Sequence, residues 1–423
     1  MSGPEADRAR VLRSRLSAPE DASSAAVSQC DPIPKPCFIS QLPDELLSTV
    51  FERVVASYER SAVSLPSLYA FLRSATCVCR KWYRVAAQTP RLWRTLWTFG
   101  PECSLLLERS GAVPLHVVCN IEVLAAFFLG DLDQTGIEDR LEYLSVAARQ
   151  DYNLYGSSPR DYYHIMNAIP RQIPTDSLRK LPSLTDVNLG PARLIEFGNL
   201  IVFSTYAHML RRLRLRTITW SWYPQTTLPE NRRHAQFQCL EELELINLSL
   251  ANVEEMLFFS EMPKLARLLI IIGEDEGYKQ LEHPIQRSFR GTSLVDLCLD
   301  TSHITLGDII ELLASLPTIE QLGLFRQPQS TYKQKFQELF HCLAQKQGAT
   351  FPMLPNLKTL AHYDVLVGLE DLRLLVEARE HFEQPIVELG FKEIRTTWYL
   401  DKDFKWLKKR VKVFEWFPRY LAE

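Results

Sequence analysis

The sequence predicts an α/β chain, with a small N-terminal helical module followed by a solenoid of alternating strands and helices. Three observations carry this. Leucine supplies 63 of 423 residues and glycine only 16, a balance that suits leucine-lined strands and packed helices better than a glycine-dependent nucleotide fold. A motif of the form apolar-x-x-apolar-x-apolar recurs through most of the chain beyond residue 110. Ahead of it, apolar residues recur at helical spacing between Leu46 and Ala86.

Composition narrows the possible functions. With 46% hydrophobic and 23% charged residues the chain is of ordinary globular type, which excludes wholly disordered and collagen-like classes. Its net charge of −3 creates no bulk positive field, so no nucleic-acid partner is expected. Nine cysteines are dispersed without a CxxC pair, which argues against a secreted disulfide framework and for a reducing compartment. The N-terminus has no apolar signal core. The longest apolar run, Val123–Leu129, is seven residues, against the roughly 20 that a membrane helix needs. A soluble protein of the cytoplasm or nucleus, with no membrane contact, is expected.

Residues 1–37 are rich in Ser, Ala, Pro and charge and end in Asp31-Pro-Ile-Pro-Lys-Pro36, where each X-Pro disfavours helix. They read as a disordered lead-in. Order is expected from Phe38. Pro43 suits a first helical position, because its missing N–H would be unpaired there. Asp44 and Glu45 favour the positive end of the helix dipole. Leu46, Leu47, Val50, Phe51, Val54 and Val55 then form an apolar stripe, and Ser57–Ser67 reads as a polar break. A second stripe follows at Leu68, Phe71, Leu72, Ala75, Cys79, Trp82, Tyr83 and Ala86. A bundle this small has a limited core, and a surplus apolar face on it calls for a partner.

The repeat motif begins at Leu184, Leu210, Leu240, Leu265, Leu294, Ile319 and Ile386. A half-match at Leu357-x-x-Leu360 puts His362 in the third apolar place. Leu141-x-x-Leu144-x-Val146 precedes these, and Leu115-x-x-Val118 is read as the first member. Successive starts from Leu184 are 25–30 residues apart, with one gap of 38. Such a period indicates stacked structural repeats. Ala251–Met262, Leu306–Leu316 and Leu369–Glu380 read as the intervening helices, with Asn252-x-x-Glu255 and Thr305-x-x-Asp308 as capping boxes. Eight residues after each first leucine, a regular repeat would favour Asn or Cys. Here that place holds Ala192, Ile218, Leu248, Gly273, Ser302, Gln327 and Val365.

The N-terminal block resembles an F-box. The matching residues are Leu42-Pro43-Asp44-Glu45-Leu46-Leu47-Ser-Thr-Val50-Phe51, then Cys77-Val78-Cys79-Arg80-Lys81-Trp82, then Thr89-Pro90-Arg91-Leu92-Trp93. The remainder looks like the degenerate leucine-rich repeat array of many fungal F-box proteins. The Ser57–Ser67 segment is longer than the usual link between F-box helices. The resemblance divides the chain into a lead-in (1–37), an F-box (38–100) and a leucine-rich-repeat-like domain with a C-terminal helical cap (101–423). It implies the substrate-recognition subunit of a cullin–RING ubiquitin ligase, with a Skp-type adaptor and a target protein as partners. By position, Leu42, Pro43, Leu46 and Leu47 match the family's adaptor-facing opening, and Val78, Cys79 and Trp82 match its later contacts. Phe51, Phe71 and Leu72 read instead as the module's own core.

No enzyme, cofactor or metal signature is expected to operate. The chain has no GxxxxGK[ST], GxGxxG, HExxH or GxSxG. Cys77 and Cys79 lie on or beside an apolar stripe, where Cys acts as a small hydrophobe. Asp131-Leu-Asp133-Gln-Thr135-Gly136 followed by Glu142 approximates a calcium loop, but Thr135 and Glu138 break the pattern and an ordinary loop is the better reading. Asn247-Leu-Ser249 is a glycosylation acceptor in form only. With the repeats aligned and the strands parallel, Arg211, Arg212 and Arg214 fall beside Glu241, Glu242 and Glu244, about 4.8 Å away. This is an ion-pair ladder, a recognition strip, or both. As the strip, Arg212, Arg214, Arg216, Glu242, Glu244 and Asp300 are the candidate target-binding residues. Trp220-Ser-Trp222-Tyr223-Pro224 with Arg232 and Arg233 offers further aromatic and basic contacts. Lys402–Lys412 reads as an amphipathic end-cap over the last repeat.

Overall fold

The structure is a computed structural model. It describes residues 41–60, 65–97, 103–119, 137–146, 181–190, 204–205, 207–217, 235–273, 292–301, 304–325, 332–344, 353–363, 368–392, 398 and 401–416. The expected lead-in, the calcium-like Asp131–Gly136 segment and the Trp220–Arg233 segment lie outside these residues.

The N-terminal elements are helical. α1 spans Asp44–Arg60, α2 Leu65–Cys77 and α3 Arg80–Ala87, and a 3-10 turn follows at Pro90–Trp93. Within the expected polar break at Ser57–Ser67, residues 57–60 and 65–67 are helical. α1 continues through the exposed Ser57, whose Oγ donates to Val54 O at 2.6 Å, to Arg60. Leu47, Phe51, Leu68, Leu72, Val85 and Trp93 form the centre of a small apolar core. Trp93 Nε1 donates to Ala86 O at 2.7 Å, and the Thr89 hydroxyl donates to Val85 O at 2.7 Å. These bonds satisfy the polar groups that burial of this turn would otherwise strand.

The twelve longer strands are β1 (Thr95–Trp97), β2 (Leu115–Cys119), β3 (Leu141–Val146), β4 (Asp186–Leu189), β5 (Arg212–Arg216), β7 (Glu242–Leu248), β9 (Arg267–Ile272), β10 (Asp296–Asp300), β11 (Gln321–Phe325), β12 (Thr359–Tyr363), β13 (Glu388–Phe391) and β14 (Lys412–Glu415). Among the described residues they form one sheet in chain order, every neighbouring pair parallel. Two short strands, β6 (Ala235–Gln236) and β8 (Ser260–Glu261), pair separately. Helices fall between strands. They are α4 (Cys103–Ser110), α5 (Leu250–Phe258), α6 (Leu306–Ala314), α7 (Tyr332–Ala344), α8 (Leu369–His381) and α9 (Lys402–Arg410).

The register explains the motif. Its second and third apolar positions stack in two buried rows: Val187, Leu213, Leu243, Leu268, Leu297, Leu322, Leu360 and Leu389 in one; Leu189, Leu215, Leu245, Ile270, Leu299, Leu324, His362 and Phe391 in the other. The first position sits in a turn ahead of the strand. Its N–H donates back to a residue three earlier, as in Leu184 to Leu181, Leu210 to Ala207, Leu240 to Phe237, Leu265 to Met262 and Leu357 to Leu354. A second regularity lies at the strand entry. Two successive N–H groups share one carbonyl of the preceding strand: Arg211 and Arg212 on Thr185 O, Glu241 and Glu242 on Arg211 O, and so on to Val387 and Glu388 on Lys358 O. The backbone is thus satisfied repeat by repeat without an asparagine ladder.

Several boundaries differ from the sequence reading. The parallel sheet starts at Thr95, inside the segment read as the helical module, and Leu96 belongs to the larger core. The first motif is Leu115-x-Val117, one residue out of the expected phase. Leu115 pairs with Leu141 and Val117 with Leu144, across an irregularity between Leu115 and His116. α5 is capped by Ser249, whose side chain accepts from Asn252 N at 3.2 Å, so Asn252 is not the cap. Thr305 caps α6 as expected, accepting from Asp308 N at 3.2 Å. α7 fills the 38-residue gap. The C-terminal helix does not end the fold: α9 is followed by β14, the last described strand.

Candidate functional site

Two sets of residues are candidates. The first lies in the N-terminal helices. Of the unit Met1–Leu46, Leu42 is half-buried, Pro43 is exposed, and Leu46 is exposed at 53%. In the second unit, Leu47–Glu423, Val50 and Tyr83 are about half exposed and Val78 is exposed at 59%. Val78 precedes Cys79, an exposed residue in extended backbone (φ −163°) that begins α3. Leu47 departs from its expected outward role. It is 1% exposed and lies in the module's core beside Phe51. Trp82 is half-buried, its ring edge-on to Phe51 at 5.1 Å. Phe51 and Leu72 are buried and Phe71 packs against them, as their spacing suggests. Cys77 and Cys79, read as small hydrophobes on or beside the apolar stripe, are exposed.

The join between the helices and the sheet is well defined. Tyr69 OH donates to Thr95 O at 2.9 Å, tying α2 to β1. The Arg109 guanidinium of α4 lies 4.5 Å from the Trp93 ring centroid and 5.8 Å from that of Tyr83. Arg109 was not singled out in the sequence, because its partners lie 16 and 26 residues away with no periodic signal between them.

The second set lies on the sheet face opposite the leucine rows. Arg212 pairs in register with Glu242, and Arg214 with Glu244, as the repeat alignment requires. Arg214 Nη2 donates to Glu244 Oε1 at 2.8 Å, and Arg211 Nη1 approaches Glu241 Oε1 at 3.8 Å. The row through Arg212 is more extended than expected. Arg212 forms an ion pair with Asp186, and Glu242 forms one with Arg267 on the opposite neighbour. Arg216 is half-buried at the end of β5. Asp300 corrects its expected place on an exposed strip. It is fully buried, and its Oδ2 accepts from Ile272 N at 3.3 Å. Together with Thr301, whose hydroxyl donates to Phe325 O at 3.1 Å, it closes backbone groups at the strand ends.

At the C-terminal ends of β7, β9 and β11 the same face is apolar. Ile246, Ile271 and Phe325 form a separate buried cluster bordered by Leu269, Cys298 and Trp416. Burial first, then the carboxylates of Asp296 and Glu244, raises the Cys298 thiol well above its usual value, which leaves it protonated and unreactive. Among the described residues no group of His, Cys, Asp and Glu could hold a metal ion. No described helix is long and apolar enough to cross a membrane.

No curated protein matches the chain. Residues 39–98 match the F-box-like family model, and this part of the chain is an F-box-like domain.

Proposed function

We propose that the protein is a substrate-recognition subunit of an SCF-type cullin–RING ubiquitin ligase. The F-box-like domain binds a Skp-type adaptor, and the domain beyond it, a leucine-rich-repeat-like solenoid of the kind seen in fungal F-box proteins, holds a target protein. The observation that carries the reading is the set of exposed apolar side chains, Leu46, Val50 and Val78, inside the segment that matches the F-box-like family. Apolar groups left in water by a small helical domain are material for a partner helix. Leu42, Pro43 and Leu46, and separately Val78 and Cys79, contact the adaptor. Leu47 and Trp82 support these contacts from within. On the sheet face, Arg212, Arg214, Arg216, Glu242 and Glu244 contribute to target binding.

The chain itself does no chemistry in this scheme. Holding a target lysine near a charged ubiquitin carrier makes the transfer effectively intramolecular. The regular parallel sheet supports a rigid platform for this. The alternative is a non-degradative repeat scaffold that uses the same domain. Co-expression with a Skp-type adaptor, a cullin and a RING subunit separates the two. The ligase reading expects all four chains to co-elute. An adaptor complex that excludes the cullin would establish the scaffold.

A further inference from the structure

α9 turns one side to the core and leaves the other to water. Phe404 and Leu407 are buried, and the Phe404 ring packs against Trp398 at 5.8 Å. Lys402, Lys405 and Lys409 are exposed. At 3.6 residues per turn the three fall within about 60° of arc and span about 10 Å of axis, as a single stripe. None of them has a carboxylate within ion-pair distance among the described residues. Cations elsewhere in the repeats do: Arg212, Arg214, Arg267, Lys358, Arg373 and Lys412 each meet one. Helix stability does not account for the stripe. Cations in a last turn suit the helix dipole, which covers Lys408, Lys409 and Arg410. Lys402 stands at the opposite, positive end, where a cation is unfavourable. Lys405 lies three residues from Lys402 and four from Lys409, so the stripe also sets like charges side by side.

We propose that this stripe binds an acidic helix of a partner protein, one that carries carboxylates at i, i+3 and i+7. Lysines three and four residues apart on α9 face carboxylates three and four apart on a helix laid alongside it. The surroundings disfavour other polyanions. The stripe itself carries only lysine, and the apolar side chains of α9 face the core, so none is left to enter a bilayer. Its neighbour Trp406 is half-buried, with the Arg373 and Arg410 guanidiniums 5.3 and 4.3 Å from its ring centroid. The stripe is also short and bounded by acid. Glu380 pairs with Arg410, Glu388 pairs with Lys412 at 2.7 Å, and Asp401 caps the helix start. A phosphate chain running past the lysines would meet these carboxylates, whereas a helix can carry charge only where the lysines are. The inference goes beyond the adaptor and sheet-face assignments and stands whether or not they hold.

Fluorescence anisotropy of labelled alanine-based helical peptides, titrated at low salt with the full-length chain, tests this. A peptide with glutamates at i, i+3, i+7 and i+10 is expected to bind saturably, and more tightly than an isomer with the same glutamates spread around the helix. Lys402→Gln, Lys405→Gln and Lys409→Gln together are expected to weaken binding about tenfold, as the loss of three exposed ion pairs. A control that removes three scattered exposed cations, Arg73→Gln, Lys264→Gln and Lys358→Gln, is expected to stay within about twofold of the wild type. No saturable binding, equal affinity for the two peptides or an equal loss in the control would overturn the proposal. So would tighter, lysine-dependent binding to phosphatidylserine vesicles or to single-stranded polyuridylate. The three lysines are exposed, so the triple variant is expected to melt with the wild type. Should it not, Lys405→Gln alone decides: a loss of about twofold supports the stripe, and undiminished affinity overturns it.

Discussion

His362 of β12 lies directly opposite Phe391 of β13, and the two rings meet edge to face at 4.6 Å. The histidine stands where neighbouring strands carry leucine or phenylalanine. Its Nε2 has no hydrogen-bond partner among the described residues, and burial lowers its pKa from 6.5 to about 4. The neutral form is the folded form. Between pH 6.5 and 4 the unfolded chain binds a proton that the folded chain does not, so stability falls as pH drops through that window. The loss is at most about 3 kcal/mol. Denaturant titrations across that window are expected to show this slope in the wild type and a flatter one in His362→Leu. An unchanged slope would mean that other groups carry the pH dependence.

Arg379 of α8 is fully buried and is the largest such side chain among the described residues. Its guanidinium donates to Met353 O at 3.0 Å, Leu354 O at 2.9 Å, Leu357 O at 3.4 Å and Gln384 O at 3.1 Å. It thereby fastens the turn before β12, where Leu354 has φ of +55°, to the helix behind it. Desolvation lowers its pKa to about 10, still well above neutrality. Arg379→Met keeps much of the volume but strands the carbonyls, and is expected to cost about 3 kcal/mol by denaturant midpoint. Arg379→Lys recovers only part, because one ammonium cannot reach all four oxygens.

The Arg214–Glu244 pair is half-buried and in register. A double-alanine cycle is expected to give a coupling of about 1 kcal/mol or less, reduced at high salt. A larger coupling would make the ladder a stability element first. A small coupling together with loss of target binding would favour recognition.

The F-box-like domain separates buried from exposed apolar residues. Leu47→Ala is expected to cost about 2–5 kcal/mol of stability. Val78→Asp is expected to change stability by no more than about 0.5 kcal/mol. Thermal melts of the two variants distinguish a core position from a surface one.

The repeat motif was legible in the sequence because two buried rows impose one spacing on the strands from β4 to β13. Even its irregular member, His362, sits on a strand at the expected place. β1 and β14 were not legible, since one is three residues long and the other is polar at both ends. Thr95 and Lys412 join the sheet only because a partner strand is already there. Asp300 was misplaced for a related reason. An acidic residue at a strand end looks exposed until the backbone N–H of Ile272 is seen to need an acceptor. Leu47 and Leu46 are adjacent in one apolar stripe, and only packing decides which faces Phe51 and which faces water. The packing of Trp416 over Gly323 and Gly390 had no sequence signal, because the two glycines lie 67 residues apart and meet only through the register with Ala361.

The adaptor interface is the centre of the account, and its most direct measurement is the mass of the complex formed with a Skp-type adaptor. By size-exclusion chromatography with light scattering, the wild-type chain is expected to form a 1:1 complex. The Leu42→Ala, Pro43→Ala double variant and the Val78→Asp variant are expected to elute as folded chains without adaptor. Undiminished adaptor binding by both variants, or a folded wild-type chain that ignores the adaptor, would contradict the assignment.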